Sequence, residues 1–127
     1  MKINLGKRRN GEDFYLDFEK EGINFILLFG ATGSGKSIFH SYLYKQLATN
    51  YTPEELGFVF IDHTKIDFYC WEDSPYLYKP VIDGFGKDDT AAAIKLLEDL
   101  VEVSTARAAG NAEKERRILI HIEECNL

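Results

Sequence analysis

The feature that most constrains the fold is a glycine-rich segment between an apolar run and a second patterned stretch. Residues 25–29 read FILLF, and residues 30–37 read GATGSGKS. A short apolar run that ends in glycine is typical of a strand buried on both faces, as in parallel sheets. The residues after the loop predict a helix, because the apolar ones share one side of a 3.6-residue repeat. These are Ile38, Phe39, Tyr42, Leu43 and Leu47.

The glycine-rich segment matches the phosphate-loop pattern G-x-x-x-x-G-K-[ST] in full. Glycine lets the backbone turn tightly, so that N–H groups approach phosphate oxygens without a Cβ in the way. The helix start adds unpaired N–H groups and the positive end of its dipole. An accidental glycine-rich turn is the alternative, but the strand and helix around the loop argue against it. The predicted nucleotide-binding residues are Gly30, Ala31, Thr32, Gly33, Ser34, Gly35, Lys36 and Ser37.

Two parts of the sequence contain side chains with predicted chemical roles: this loop, and an acidic pair near the other end of the chain. Lys36 is predicted to reach the β- and γ-phosphates of ATP, and Ser37 to offer its hydroxyl to Mg²⁺. Residues 118–122, ILIHI, predict a buried strand with Glu123 and Glu124 at its tip. Parallel strands present their carboxyl ends to one crevice, where the acids can meet the phosphate loop.

The two acids have separate predicted roles. Glu123 is a candidate Mg²⁺ ligand with Ser37, and Glu124 is a candidate catalytic residue with Lys36, polarising the attacking water. Most phosphate-loop ATPases carry Asp where Glu123 stands, so the carboxylate here is longer by one methylene. A pair of solvated glutamates just past a strand is the alternative.

The rest of the chain supplies further strands and helices. Residues 4–18 predict a hairpin around Asn10-Gly11, and residues 58–61, FVFI, predict another buried strand. Residues 52–55 have the capping-box spacing of a short helical turn. A helix is predicted from Asp88 or Asp89 to about Ala109, with Gly110 as its stop. Its inward residues are predicted to be Ile94, Leu97 and Val101. Strands that alternate with helices indicate an α/β fold with a parallel sheet.

Composition limits the class of protein. At 127 residues, with 45% hydrophobic and 28% charged residues, the chain is expected to form one globular domain. No apolar run is long enough for a transmembrane segment, and the spacing of Cys70 and Cys125 favours neither a disulfide framework nor a zinc site. We therefore expect a cytoplasmic protein. The net charge of −6 gives no general attraction to nucleic acid.

Four ordered segments resemble the FtsK/SpoIIIE family of DNA-translocating ATPases. Residues 5–17 resemble the lead-in to the family's phosphate loop, and residues 26–37, ILLFGATGSGKS, resemble the loop itself. Residues 58–77, FVFIDHTKIDFYCWEDSPYL, resemble its second strand and the segment after it. The helix and the strand that ends in Glu123-Glu124 follow in the expected order.

The resemblance implies a fold and an activity. The fold is a P-loop NTPase (RecA-like) three-layer sandwich with a mainly parallel sheet, incomplete here because the family's later strands and inter-subunit arginine would follow Glu124. Residues 1–127 would form the N-terminal part of the ATPase domain, with residues 1–22 as a hairpin before the loop. The implied cofactors are ATP and Mg²⁺. The full-length protein would be a homo-hexamer that couples ATP hydrolysis to movement on double-stranded DNA.

Other functions remain open. The chain can be a nucleotide-binding module without useful hydrolysis, or part of a HerA-type or conjugative coupling ATPase. A small phosphate-loop kinase finds no support in a lid or acceptor motif.

Several further residues have two interpretations. A basic group near the last strand can contact DNA phosphates or lie in a solvated loop: Arg107, Lys114, Arg116 and Arg117. An aromatic group can stack on adenine, pack against a neighbouring subunit, or pack in the core and at the surface: Phe68, Tyr69, Trp71, Tyr76 and Tyr78. His40 is expected to be a packing or surface residue, and His121 a satisfied core histidine. Asp62 is expected at a strand tip that faces the same crevice.

Overall fold

The computed structural model describes residues 1–20, 25–62, 66–82, 87–110 and 116–123, with only the backbone at residues 87 and 88. The described chain is α/β, as the sequence predicts, and falls into two compact units, Met1–Asn50 and Tyr51–Leu127. The first unit holds a β-hairpin and a helix. The second holds a parallel pair of strands and a longer helix.

The hairpin forms where the sequence predicts it. Strand β1 (Lys2–Lys7) pairs antiparallel with β2 (Asp13–Asp17), and the register runs from Lys2 opposite Asp17 to Lys7 opposite Asp13. The turn between them contains Gly11 at a φ of +86°, a conformation that glycine adopts without strain. The prediction of a hairpin around Asn10-Gly11 is therefore confirmed.

Helix α1 (Lys36–Asn50) follows the glycine-rich loop and contacts β1. The Gln46 side chain accepts a hydrogen bond from Asn4 N at 3.2 Å and donates one to Asn4 O at 2.8 Å. The predicted inward face is correct for Leu43 and Leu47, which are buried, but wrong for Ile38 and Tyr42, which are exposed. The buried stripe instead includes Tyr44 and His40, which confirms His40 as a packing residue.

The strand predicted at residues 25–29 does not form in this structure. The five residues have no strand hydrogen bonding, and all are exposed, with Phe25 and Phe29 at 79% and 82%. A strand buried on both faces needs neighbouring strands to pair its backbone and other elements to cover its faces. Among the described residues of the unit Met1–Asn50, the two strands pair with each other and leave this run outside their sheet.

The second unit is built on strand β3 (Leu56–Ile61), which is completely buried. It pairs in parallel with β4 (Arg117–Ile122), in a register from Leu56 opposite Arg117 to Ile61 opposite Ile122. On its other edge β3 forms isolated parallel bridges to Leu77 and Ile82. Both predicted strands and their parallel arrangement are thus confirmed, and β3 is central.

Helix α2 (Lys87–Ala108) covers one face of this sheet through Leu96 and Leu100, which form a buried cluster with Val59. The predicted inward residues Ile94 and Val101 are exposed, so the predicted face was wrong by part of a turn. The helix has two adjacent apolar stripes, and periodicity alone does not show which of them faces the sheet. The two stripes contain five apolar residues: Ile94, Leu96, Leu97, Leu100 and Val101. The predicted stop is confirmed, since Gly110 has a φ of +73° and its N–H bonds Arg107 O at 3.1 Å.

The opposite face of the sheet is aromatic. Phe58 stacks on Tyr76 at 5.5 Å between ring centroids and meets Trp71 edge-on at 5.3 Å. Phe60 stacks on Phe68 at 4.2 Å. Within the described chain, Phe68, Trp71 and Tyr76 therefore serve in packing, whereas Tyr69 is exposed.

Candidate functional site

The glycine-rich loop has the backbone geometry that close approach to an anion requires. Gly33 and Gly35 have φ angles of +80° and +94°, which L side chains rarely adopt. Helix α1 then begins at Lys36, and its first bond runs from Phe39 N to Gly35 O at 3.0 Å. The first N–H groups of a helix lack partners within the helix and form its anion-binding end.

The Lys36 ammonium lies back over this loop. Its Nζ donates to Gly30 O at 2.7 Å and to Ala31 O at 3.2 Å. The loop closes on itself through Ser34 N, which donates to Ala31 O at 3.0 Å. A positive charge therefore stands beside the backbone that the sequence predicts as the phosphate cradle.

The loop is also shaped so that a larger residue at its first position would disturb it. A Cβ added to Gly30 would contact Ser34 Oγ within the van der Waals distance and lie 3.4 Å from Lys36 Cγ. Residues 30–34 are otherwise open to solvent. These features fit a phosphate group: a cation, a helix start and two glycines in left-handed conformations.

The acidic residues lie at the carboxyl ends of the parallel strands. The parallel ladder extends past β4, since Glu123 N donates to Ile61 O at 2.8 Å. Asp62 is fully buried at the tip of β3, and its N–H bonds Ile82 O at 2.9 Å. Continuing the register by one step sets Glu123 beside Asp62, on the face that also carries Phe60 and His121. Glu124, the predicted catalytic carboxylate, lies outside the described residues.

One contact of this acidic tip was not predicted. His121 Nε2 lies 2.8 Å from Glu123 Oε2, and the two side chains are each 13% exposed. The sequence contains the signal, because residues i and i+2 of a strand share a face. His121 was expected to be a satisfied core histidine, and its partner was not predicted.

The structure therefore places the predicted site residues in two groups. The residues from Gly30 to Ser37 belong to the unit Met1–Asn50, and Glu123 belongs to the unit Tyr51–Leu127. Their joint roles, including a metal shared by Ser37 and Glu123, stay predictions.

Within the predicted basic group, Arg116 has hydrogen-bond partners in the folded chain. The Arg116 guanidinium donates to three backbone carbonyls, those of Pro53 and Pro75 at 3.1 Å and that of Leu77 at 3.2 Å. It also lies 5.5 Å from the centroid of the Tyr78 ring. Arg107 stands in the last turn of α2, and Arg117 begins β4. Lys114 lies outside the described residues.

No helix in the described part of the chain is both long and apolar enough to cross a lipid bilayer.

Several known proteins are similar to this chain. The family model of the FtsK/SpoIIIE family matches residues 1–117. A DNA translocase FtsK of Mycobacterium tuberculosis is 35% identical over 102 residues, which cover 80% of this chain and 12% of that protein. The DNA translocase FtsK of Corynebacterium efficiens is 32% identical over 102 residues, covering 80% of this chain and 10% of its own length. That of Leptospira interrogans is 33% identical over 98 residues, covering 77% and 10%.

The chain spans about a tenth of the length of these curated relatives. The match nevertheless runs from the hairpin through the glycine-rich loop and α2 to the first residue of β4. It therefore includes every described element except the remainder of the last strand and its acidic tip. The chain belongs to the FtsK/SpoIIIE family.

Proposed function

We propose that this chain is the nucleotide-binding part of a DNA translocase with a P-loop NTPase fold. In this proposal the full protein hydrolyses Mg-ATP and couples the reaction to movement along double-stranded DNA. The observation that carries the proposal is the loop of residues 30–37, with the Lys36 ammonium beside the backbone that leads into α1. A cation beside the start of a helix favours an anionic ligand such as a polyphosphate over neutral small ligands.

The geometry of the loop supports the roles that we propose for its residues. The N–H groups around Gly33 and Gly35 bind phosphate oxygens at positions where a side chain would strain the backbone. Lys36 exchanges its contacts with the carbonyls of Gly30 and Ala31 for the β- and γ-phosphates. Because the ammonium is already held at the loop, little reorientation is needed when the nucleotide arrives.

The acids complete the proposed machinery. Ser37 and Glu123 would hold Mg²⁺, whose chemistry is to neutralise charge on the transferring phosphoryl group. Carboxylate and hydroxyl oxygens are ligands that suit this hard cation. Glu124 would polarise the attacking water, and its position in the sequence directly after Glu123 supports that role.

Double-stranded DNA and a homo-hexamer are proposed for the full protein rather than for these 127 residues alone. The family and the printed names of the relatives support them. The chain itself has a net charge of −6, which opposes general binding to a polyanion.

The experiment that tests this activity measures phosphate release by the full protein, with and without double-stranded DNA. We expect DNA to stimulate phosphate release, and Glu124→Gln to abolish the stimulation because it removes the proposed base. Glu102→Gln is the matched control, since it removes an exposed carboxylate on α2. Equal phosphate release by the wild type and Glu124→Gln would contradict the proposed role of Glu124.

A nucleotide-binding module without useful hydrolysis is the second candidate function. Glutamate at position 123 favours this second candidate. Its side chain is one methylene longer than that of Asp, so its carboxylate would meet a bound metal from a different position. ATP binding without any release of phosphate, in the presence of DNA, would support this candidate against the first.

A further inference from the structure

We propose that His121 is a positioning residue that holds the Glu123 carboxylate in place for Mg²⁺. This inference rests on the proposed function, because it assigns His121 a role through the residue that would bind the metal. It starts from a contact in the described chain, the 2.8 Å separation of His121 Nε2 and Glu123 Oε2.

The chemistry of the pair determines which group donates. An ionised carboxylate only accepts hydrogen bonds, so the Nε2 atom of His121 must carry the proton. Both side chains are 13% exposed, so water competes little for the bond. Hydrogen bonds to a charged group are shorter and stronger than neutral ones, and this distance lies in that range.

The imidazole is itself fixed by packing. Its ring lies 4.7 Å from the Phe68 ring and 6.4 Å from the Phe60 ring, measured between centroids. Those two phenyl rings stack on each other at 4.2 Å, and Phe60 and Phe68 are buried. The packed rings of Phe60 and Phe68 therefore fix the direction in which Nε2 points. The hydrogen bond from Glu123 N to Ile61 O fixes the backbone position of Glu123.

A positioning role answers a need particular to glutamate at this site. Glu has one more rotatable bond than Asp, so its carboxylate samples more orientations when nothing holds it. Groups that hydrogen-bond a metal ligand typically account for about 10- to 100-fold in metal affinity or activity. His121 supplies such a bond on the same strand, two residues before the ligand.

The tests use two matched substitutions of His121 in the full chain. His121→Phe keeps an aromatic ring against Phe60 and Phe68 but removes the donor. His121→Gln keeps an N–H donor that can replace Nε2. Thermal unfolding of both variants shows whether either change disturbs the fold.

The first readout needs neither metal nor nucleotide. In ¹⁵N-labelled protein, NMR of the imidazole is expected to show Nε2 protonated and in slow exchange with water in the wild type. In Glu123→Gln the Nε2–H signal should shift, because the charged acceptor is gone. An imidazole protonated only at Nδ1 would overturn the proposal.

The second readout is Mg²⁺ titration of ATP-analogue binding, followed by fluorescence. His121→Phe is expected to raise the Mg²⁺ concentration for half-maximal binding by about 10- to 100-fold. His121→Gln should stay within about threefold of the wild type, because rescue by a retained donor separates positioning from packing. Unchanged Mg²⁺ dependence in His121→Phe, or tighter Mg²⁺ binding, would overturn the proposal.

A double-mutant cycle connects the effect to Glu123. In a Glu123→Gln background, His121→Phe should change the Mg²⁺ dependence by less than about twofold, because the carboxylate it positions is absent. A full effect in that background would show that His121 acts by another route and would contradict the proposal.

Different experimental results would contradict the proposed function and the proposed role of His121. Absence of Mg-ATP binding by the wild-type chain would contradict the function itself and, with it, a role for His121 at the metal. Normal binding that Lys36→Ala weakens, together with unchanged Mg²⁺ dependence in His121→Phe, would contradict the role of His121 alone.

Discussion

Gly35 and Gly110 both have left-handed backbone conformations, with φ angles of +94° and +73°, but they stand at opposite ends of helices. Gly35 precedes α1 in the proposed phosphate cradle, and Gly110 follows α2. A Cβ added at either position meets no atom within 4 Å. The cost of a side chain is therefore backbone strain at both positions, which makes them a matched pair.

Gly35→Ala and Gly110→Ala are each expected to lower the free energy of unfolding by about 1–2 kcal/mol. Gly35→Ala should also weaken ATP binding, because the strained loop no longer aims its N–H groups at the phosphates. Urea denaturation measures the first effect, and calorimetry measures the second. A loss of ATP affinity in Gly110→Ala as large as in Gly35→Ala would contradict this assignment of the loop.

At the scale of elements, the amino ends of β3 and β4 are joined by one side chain. The Arg116 guanidinium gathers the carbonyls of Pro53, Pro75 and Leu77, which belong to the segments before β3 and beside it. A planar group with several donors fits this task, and a lysine ammonium does not reproduce its geometry. Arg116 therefore connects the start of β4 to the segments before and beside β3.

Arg116→Lys is expected to lower the free energy of unfolding by about 1–2 kcal/mol, because carbonyls lose charge-assisted donors. Arg9→Lys, an exposed change in the hairpin turn, should stay within about 0.5 kcal/mol of the wild type. Urea denaturation of both variants measures the difference. Equal stability of the two variants would show that the three carbonyl contacts contribute nothing.

The turn before β3 carries a pH dependence. A side-chain hydrogen bond with Thr52 lowers the pKa of Glu54, its own backbone N–H lowers it further, and the charge of Arg116 adds to both. A lowered pKa in the folded chain means that the Glu54 carboxylate stabilises the fold above its unfolded pKa of about 4.3, and that this contribution disappears as the pH falls through the folded-state value.

Glu54→Gln should therefore have a lower thermal midpoint than the wild type at pH 7, and the two midpoints should converge as the pH falls through the folded-state pKa of Glu54. Glu102→Gln, an exposed change on α2, controls for the loss of one charge. A difference between wild type and Glu54→Gln that stays equally large across the acid range would contradict this pH dependence.

Local sequence patterns predicted most helices and strands. The predictions were wrong where the structure of a segment depends on contact with a neighbouring element. The hairpin, both helices, and strands β3 and β4 follow from turn residues, periodicity and apolar runs. The capping-box spacing at residues 52–55 is also realised in part, since Glu55 Oε2 accepts from Thr52 N at 2.8 Å. The run at residues 25–29 has the composition of a buried strand, yet a strand forms only where another strand pairs with its backbone.

The same distinction applies to the candidate site. The phosphate loop is predictable because its sequence pattern encodes backbone conformation, and Gly33 and Gly35 have that conformation. The bond between His121 and Glu123 depends on the strand register and on the rings of Phe60 and Phe68. The i, i+2 spacing places both side chains on one face of the strand, but spacing alone does not show that they bond to each other.

For the molecule as a whole, we propose that this chain of the FtsK/SpoIIIE family binds Mg-ATP through the loop of residues 30–37. The chain spans about a tenth of the length of its curated relatives, and the proposal for these residues is limited to nucleotide binding. Lys36 is the side chain on which that claim depends most.

The most direct measurement is calorimetric titration of Mg-ATP into the wild-type chain, Lys36→Ala and Lys45→Ala. Both variants lose one positive charge from α1, but Lys45 is exposed in a later turn of the helix. We predict that Lys36→Ala weakens binding by about 10- to 100-fold and that Lys45→Ala binds as the wild type does. Equal binding by all three chains, or binding by none of them, would contradict the claim.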